Sequence, residues 1–208
     1  LDIQVSKLRV LKQSYLSEHY DLEDRVLKYY PQTIKEYEER IAGYENDVAL
    51  AEQHKPQGDE KFCPMTLRGV SYTEKAAAGE MLLAICKEYP LSAPVEIGSY
   101  RGFKMEVFYD TVNTAYTLNL CGAYKHKVLL GSDALGNLTQ IENELARIPA
   151  RLKAAKTQRV ETIVQLENAK VEVEKPFAYE DELKEKTDRL NALNIELNLD
   201  EKDPSAID

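Results

Sequence analysis

The densest candidate chemistry in the sequence is a run of cations. Between Ala146 and Val160 stand Arg147, Arg151, Lys153, Lys156 and Arg159, with no acid among them. Lysines and arginines on one helix neutralise phosphates without reading bases, which makes the run a candidate nucleic-acid contact. The same basic face equally suits pairing with acidic Glu36–Glu45 across a coiled coil. Two basic-aromatic turns add a second possibility, Tyr100-Arg101-Gly102-Phe103-Lys104 and Tyr124-Lys125-His126-Lys127. Such a turn can stack a base or clamp a phosphate. Tyrosine and lysine are also ordinary residues at hairpin ends. The candidate contact set is therefore Arg101, Lys104, Lys125, Lys127, Arg147, Arg151, Lys153, Lys156 and Arg159.

Catalytic signatures are missing from the chain. It has no Gly-rich phosphate loop, no HExxH, no GxSxG and no paired Cys/His ligand set. His19, His54 and His126 are isolated in sequence, so solvated or locally hydrogen-bonded roles are expected of them rather than metal ligation. The carboxylates sit on helix faces beside lysines and arginines, where a solvated face is the expectation. No catalytic residue, cofactor or metal site is assigned. Cys63, Cys86 and Cys121 form no CxxC pair and read as buried, reduced thiols of a cytoplasmic protein.

The net charge of −9 argues against a whole-surface grip on nucleic acid, which needs a basic face. The acidity belongs to the helical parts: residues 60–133 carry eight acids and eight Lys/Arg. There is no apolar run near the roughly 20 residues of a membrane span, and no signal-peptide pattern. The sequence begins at Leu1, in mid-helical pattern and without an initiator methionine, as expected of a piece of a larger protein.

Most of the chain reads as helix. Val5, Leu8, Leu11, Tyr15, Leu22, Val26 and Tyr29 recur at helical steps up to Tyr30-Pro31, where a kink or a break is expected. Ile34, Tyr37, Ile41, Tyr44, Val48 and Ala51 then form an a/d seam, with Glu36, Glu38, Glu39, Arg40, Glu45 and Asp47 on its polar face. His54-Lys55-Pro56-Gln57-Gly58 stops that helix. From there the period changes. Phe62–Tyr72 predicts two short strands turning at Arg68-Gly69, and Thr73 caps a helix over Glu74–Glu88 ending before Pro90. The buried side of that helix is expected at Ala77, Met81, Leu82, Ile85 and Cys86. Strands follow at Phe103–Tyr109, Tyr116–Cys121 and Lys127–Leu130, with a further one at Pro94–Ile97. Helix returns at Asn137, read as an N-cap with Gln140 completing a capping box. Leu138, Ile141, Leu145, Ile148, Leu152 and Ala155 repeat the 3-4 spacing, with Pro149 expected to kink the run. Lys175-Pro176-Phe177 breaks it. A last amphipathic helix, Glu180–Leu199, presents Leu183, Leu190, Leu193 and Leu197, and the polar tail Asp200–Asp208 is expected to fray.

The ends of an insert between two heptad segments must lie close together, so Ile34–Ala51 and Leu138–Ala155 are expected to run antiparallel. The expected class is mainly helical α+β, an antiparallel coiled-coil-like stalk bearing a small inserted domain of antiparallel sheet plus helix. Its parts are 1–57 (N-terminal arm), 58–133 (insert), 134–175 (return arm) and 176–208 (C-terminal helix and tail).

Several short stretches carry a family resemblance. They are Tyr20-Asp21-Leu22-Glu23-Asp24, Lys28-Tyr29-Tyr30-Pro31, Arg40-Ile41-Ala42-Gly43, Met65-Thr66-Leu67-Arg68-Gly69, Tyr100-Arg101-Gly102-Phe103-Lys104, Gly131-Ser132-Asp133 with Gly136-Asn137, and Lys175-Pro176-Phe177. Together they resemble the C-terminal region of very large bacterial mobile-element proteins that join an adenine-specific DNA methylase-like part to a Snf-type superfamily II helicase. The resemblance spans nearly the whole chain, and each motif is structural rather than catalytic. It implies a parent that hydrolyses ATP and acts on DNA, with the helicase and methylase parts as partners. The Walker-type loop, the helicase acidic box and the methylase Asn/Asp-Pro-Pro-Tyr-type motif are not in these residues. Two functions are expected from the whole reading. One is a non-catalytic accessory module making weak phosphate contacts with DNA. The other is a protein-interaction module that self-associates through its helices or docks on the parent.

Overall fold

A computed structural model describes residues 1–56, 62–88 and 93–200 of the chain. The Gln57-Gly58 stop, Pro90 and the tail from residue 201 lie outside the described residues. The described chain is mainly helical, with one six-stranded antiparallel sheet.

The N-terminal helical pattern is not broken at Pro31. Helix α1 spans Asp2–Asp24, a π-helical segment covers Arg25–Tyr29, and α2 continues over Tyr30–Gln53. A proline has no N–H to give and its ring crowds the carbonyl four residues back. The π turn takes up this demand just ahead of the ring, where the Tyr30 N–H donates to the Arg25 carbonyl five residues earlier. Backbone angles at Arg25 and Tyr30 stay right-handed helical, so the chain widens for one turn and goes on.

After α2 come β1 (Met65–Leu67), β2 (Val70–Tyr72), α3 (Lys75–Glu88), β3 (Val95–Tyr100), β4 (Phe103–Asp110), β5 (Ala115–Cys121) and β6 (Lys125–Leu130). The sheet order is β2-β1-β3-β4-β5-β6, every neighbour antiparallel. The two tightest turns place φ above zero at Arg68 and Gly69, and at Arg101 and Gly102, the backbone that two-residue hairpins require. Strand alternation sorts the faces. Met105, Val107, Leu118, Leu120, Val128 and Leu130 point into the core, while Lys104, Glu106, Asn119 and Lys127 share the other face. On that outer face the Thr117 hydroxyl and the Asn119 side-chain amide oxygen are buried with no hydrogen-bond partner among the described residues.

Helix α4 runs unbroken over Ala134–Val173, through Pro149, whose ring lies on an exposed face. Its start differs from the expectation. Asp133, not Asn137, is the cap: its carboxylate accepts the Gly136 N–H at 2.8 Å. Asn137 is buried inside the first turns, accepting the Gly131 N–H at 2.7 Å and donating to the Gly131 carbonyl at 3.0 Å. Helix α3 buries Leu82, Ile85 and Cys86 as expected and differs at its N-terminal end. Ala78 and Gly79 face the core and Ala77 is exposed, because a β-carbon at Gly79 would sit 2.5 Å from the Ala134 carbonyl oxygen. Glycine there lets the beginning of α4 approach the α3 backbone.

The heptad positions of α4 have two fates. Leu138, Ile141, Leu145 and Ile148 are buried in the core under the sheet with Leu82, Ile85, Met105 and Leu118, a core that Ala51, Tyr44 and Val48 of α2 also join. Ala155 is buried and Leu152 half-buried further on. On α2 the corresponding seam residues Tyr37, Ile41, Tyr44 and Val48 are only half-buried, and Ala51 reaches the core. Helix α5, Glu180–Asp200, buries Leu183, whereas Leu193 and Leu197 are exposed.

The chain divides into two compact units. One comprises Leu1–Ile34 with Glu161–Asp208, the other Lys35–Val160. The second contains the sheet and its core. In the first, Val5 and Leu8 of α1 pack with Leu183, Phe177 and Leu190. Lys12 pairs with Glu180 at 2.6 Å, and the Tyr15 hydroxyl donates to the Lys175 carbonyl at 2.6 Å.

Tyr100 ties the sheet to α4. Its ring is buried and stacked on Phe62, and its hydroxyl donates to Glu142. Burial first, then the Glu142 carboxylate, raises the phenol well above its ordinary value of 10.0. A raised acid contributes stability that is present below the unfolded value and is lost as pH climbs toward the folded one. Unfolding by urea is therefore expected to show a decline in stability above about pH 10, and Tyr100→Phe should flatten that decline. An equally steep decline in the variant would place the alkaline sensitivity elsewhere.

Candidate functional site

The most chemically organised group in the protein joins α2, the β5–β6 turn and α4. Asp47 is 1% and His126 2% exposed, both inside the unit of residues 35–160. The Asp47 carboxylate accepts the Ala123 N–H at 2.6 Å and the Tyr124 N–H at 3.1 Å. It also stands 2.8 Å from His126 Nε2. Arg151 approaches His126 Nδ1 at 3.1 Å through one guanidinium nitrogen. A guanidinium only donates, so Nδ1 accepts and the Nε2 hydrogen goes to Asp47. The other arm of Arg151 holds the buried Glu144 at 2.6 Å, with Arg147 at 3.5 Å from the same carboxylate. The result is a line of alternating partners, Asp47–His126–Arg151–Glu144, each polar atom matched as burial demands.

Local sequence explains how the line is assembled. Alternation along β6 turns His126, Val128 and Leu130 inward, so the imidazole enters the core beside Phe103, edge to face at 5.9 Å. Gly122 lets the turn wrap the carboxylate, since a β-carbon there would lie 2.2 Å from Asp47 Oδ1. Gly43 receives the Tyr124 ring, which also packs on Tyr44 at 4.9 Å. Two successive amides aimed at one carboxylate form an anion nest. Both ring nitrogens of His126 and both oxygens of Asp47 are already engaged in these contacts. The arrangement fixes three elements to one another.

This group was not assembled from the sequence. Asp47 belongs to the expected polar face of the heptad helix, yet it is buried; one step from the seam, it meets the turn rather than water. His126 was read as isolated, although the Val128 and Leu130 alternation carries the signal that it faces inward. His19 instead contacts Glu23 at 3.2 Å, and His54 Nδ1 lies 2.9 Å from the Leu50 carbonyl. Among the described residues no group of three or more His, Cys, Asp or Glu is arranged to hold a metal ion. Cys63 and Cys86 are buried and Cys121 half-buried; the Cys63 thiol donates to the His54 carbonyl at 3.0 Å, and burial pushes Cys86 up to about 11.

The candidate cations fall into three places. Arg101 crosses to the end of α2, where its guanidinium donates to the Ala51 carbonyl at 2.6 Å and the His54 carbonyl at 3.3 Å, satisfying the helix terminus. Lys104, Lys125 and Lys127 share the outer sheet face with acids. Lys125 binds Glu106 at 2.7 Å, and this contact chiefly holds the Glu106 carboxyl below its ordinary range; Lys104 lies 3.6 Å from Glu96. Along α4, Arg151 and Arg147 serve Glu144, while Lys156 pairs with Glu45 at 2.7 Å and Arg159 grips Glu38 at 2.6 Å. Lys153 and Lys127 have no acid within 4.0 Å among the described residues. The Glu38–Arg159 and Glu45–Lys156 pairs advance along α2 as they retreat along α4, so these stretches run antiparallel.

Comparison with protein-family models, curated proteins and solved structures finds no match for the chain. No helix among the described residues is long and apolar enough to cross a membrane.

Proposed function

We propose that this chain is a non-catalytic interaction module of a larger protein, in which a sheet-centred unit is held rigid and helical surfaces are offered to protein partners. The observation that carries the reading is the use already made of its cations. Arg101, Lys104, Lys125, Arg147, Arg151, Lys156 and Arg159 each have an acid or a carbonyl of the same chain within 4.0 Å. A phosphate would have to displace these partners, on a chain whose formal net charge is −9. The pairs between α2 and α4 support a helical stalk as the finer architecture. The parent of this reading is the DNA-processing mobile-element protein that the sequence resembles, with its helicase and methylase parts as docking partners.

Anisotropy of a labelled duplex at low salt tests it. The expected result is no saturable binding by the whole chain up to about 10 µM, where non-specific DNA binders register. Salt-sensitive binding that disappears in a Lys127→Glu, Arg147→Glu, Lys153→Glu variant would overturn it in favour of the DNA-contacting accessory module. That second reading is favoured by Lys127 and Lys153, which have no acid within 4.0 Å among the described residues.

A further inference from the structure

The face of α1 turned away from its packing partners has an order of its own. Val5 and Leu8 are buried against Leu183. On the opposite side, Ile3, Ser6, Val10, Gln13, Ser17, Tyr20 and Asp24 follow one another at steps of three and four, with Leu27 of the π-helical segment three residues further on, and all are exposed. The apolar members are unusually bare: Ile3 71%, Val10 70%, Tyr20 65% and Leu27 74%. Ile3, Ser6, Val10 and Leu11 line a shallow groove there.

The pattern is nearly the same read from either end. Reflected about Tyr15, Ile3 falls on Leu27, Val10 on Tyr20, Ser6 on Asp24 and Gln13 on Ser17. Each reflection matches an a position with a d position, the pairing that two antiparallel helices make across a seam. Charge obeys the same reflection with its sign reversed. Lys7 and Arg9 flank the seam in the first half, Asp21 and Glu23 in the second. All four lie outside the α1–α5 packing, although Glu23 also contacts His19 at 3.2 Å.

We infer that α1 is a self-recognition helix whose partner is α1 of a second copy of this chain, laid antiparallel about a two-fold axis near Tyr15. In that register Lys7 faces Asp21 of the second copy and Arg9 faces Glu23 of the second copy, and symmetry makes each pair twice. Ser6, Gln13 and Ser17 in the seam weaken the association and fix its register, as polar seam residues do. The resulting dimer is a weak, reversible one. The inference deepens the interaction-module reading and rests on it.

Sedimentation velocity of the whole chain between about 1 and 200 µM, the range that brackets micromolar affinity, is the first measurement. The weight-average mass is expected to rise toward twice that of the chain. An Ile3→Asp, Val10→Asp variant should stay monomeric throughout; both positions are exposed, and circular dichroism will show the helices retained. The decisive arm uses charge. A Lys7→Glu, Arg9→Glu chain and an Asp21→Lys, Glu23→Lys chain should each be monomeric alone, yet associate when mixed, at least about tenfold more tightly than either with itself. A strictly monomeric wild type, a dimer that ignores the aspartate variant, or a mixture that does not pair would each overturn the inference. A monomer would leave the duplex titration to decide the interaction-module reading separately.

Discussion

Asp47→Ala is expected to destabilise the unit of residues 35–160 by about 3–5 kcal/mol, through the donors that lose their acceptor. The loss has identifiable components. The Ala123 and Tyr124 amides and the His126 Nε2 hydrogen all point at Asp47, and the imidazole is buried. Each stranded donor costs about 1–3 kcal/mol. Urea titration followed by circular dichroism should show a lower midpoint with unchanged slope. Asp47→Asn keeps one acceptor for the turn but presents an amide hydrogen to the imidazole, so its cost should be intermediate. If Asp47→Ala unfolds within about 1 kcal/mol of wild type, the turn does not depend on its carboxylate and the line from Asp47 to Glu144 is incidental. Because domains are commonly stable by about 5–15 kcal/mol in all, the expected loss is large enough to make the variant sensitive to mild protease treatment at room temperature.

The second large effect separates two residues that look alike on paper. Ile141 and Ile41 each occupy a position of a 3-4 seam. Ile141 is fully buried among the sheet residues, whereas Ile41 is half-buried in a groove with Glu45, Lys156 and Arg159. Ile141→Ala should cost about 2–5 kcal/mol, through lost burial and the cavity left in a closely packed core. Ile41→Ala should cost about 1 kcal/mol, since neighbours and water can close over it. Equal costs would mean that the first half of α4 packs as the first half of α2 does, contrary to its place under the sheet.

That pair shows where the sequence was informative. Periodicity placed α2, α4, α5 and the strands β4 and β5, because a 3.6 or 2.0 repeat is a property of a segment alone. It also found the Arg68-Gly69 turn, where glycine relieves a positive φ. What each apolar face packs against is not a local property. A heptad stripe serves a neighbouring helix or a sheet equally well, so Leu138–Ile148 read as a stalk and proved to be a lid on the sheet. The capping misreading has a similar origin. Asn137 and Asp133 both suit a cap, and the Gly131 backbone that claims the Asn137 side chain is visible only once the chain is folded. Asp47 and His126 are 79 residues apart, and neither carries a motif. Only the alternation of β6 hinted that a polar ring would be buried, and nothing local named its partner. Among the cations, opposite charge at helical spacing anticipated the Glu38 and Glu45 pairs, while the use of Arg101 as a helix terminator depends on the hairpin meeting the end of α2.

The π turn at Arg25–Tyr29 has a consequence for insertions and deletions. Such a turn holds one more residue than the α-helix it interrupts, so it stores a single position of slack. Removing one residue there would regularise the winding while leaving the stretches on either side near their present phase, because the wide turn already absorbs the extra residue. Ile3, Val10 and Tyr20 would keep their direction. The position acts as a register buffer: one codon can be lost there without re-aiming the N-terminal helix, whereas a residue lost within α1 turns everything before it by roughly 100°.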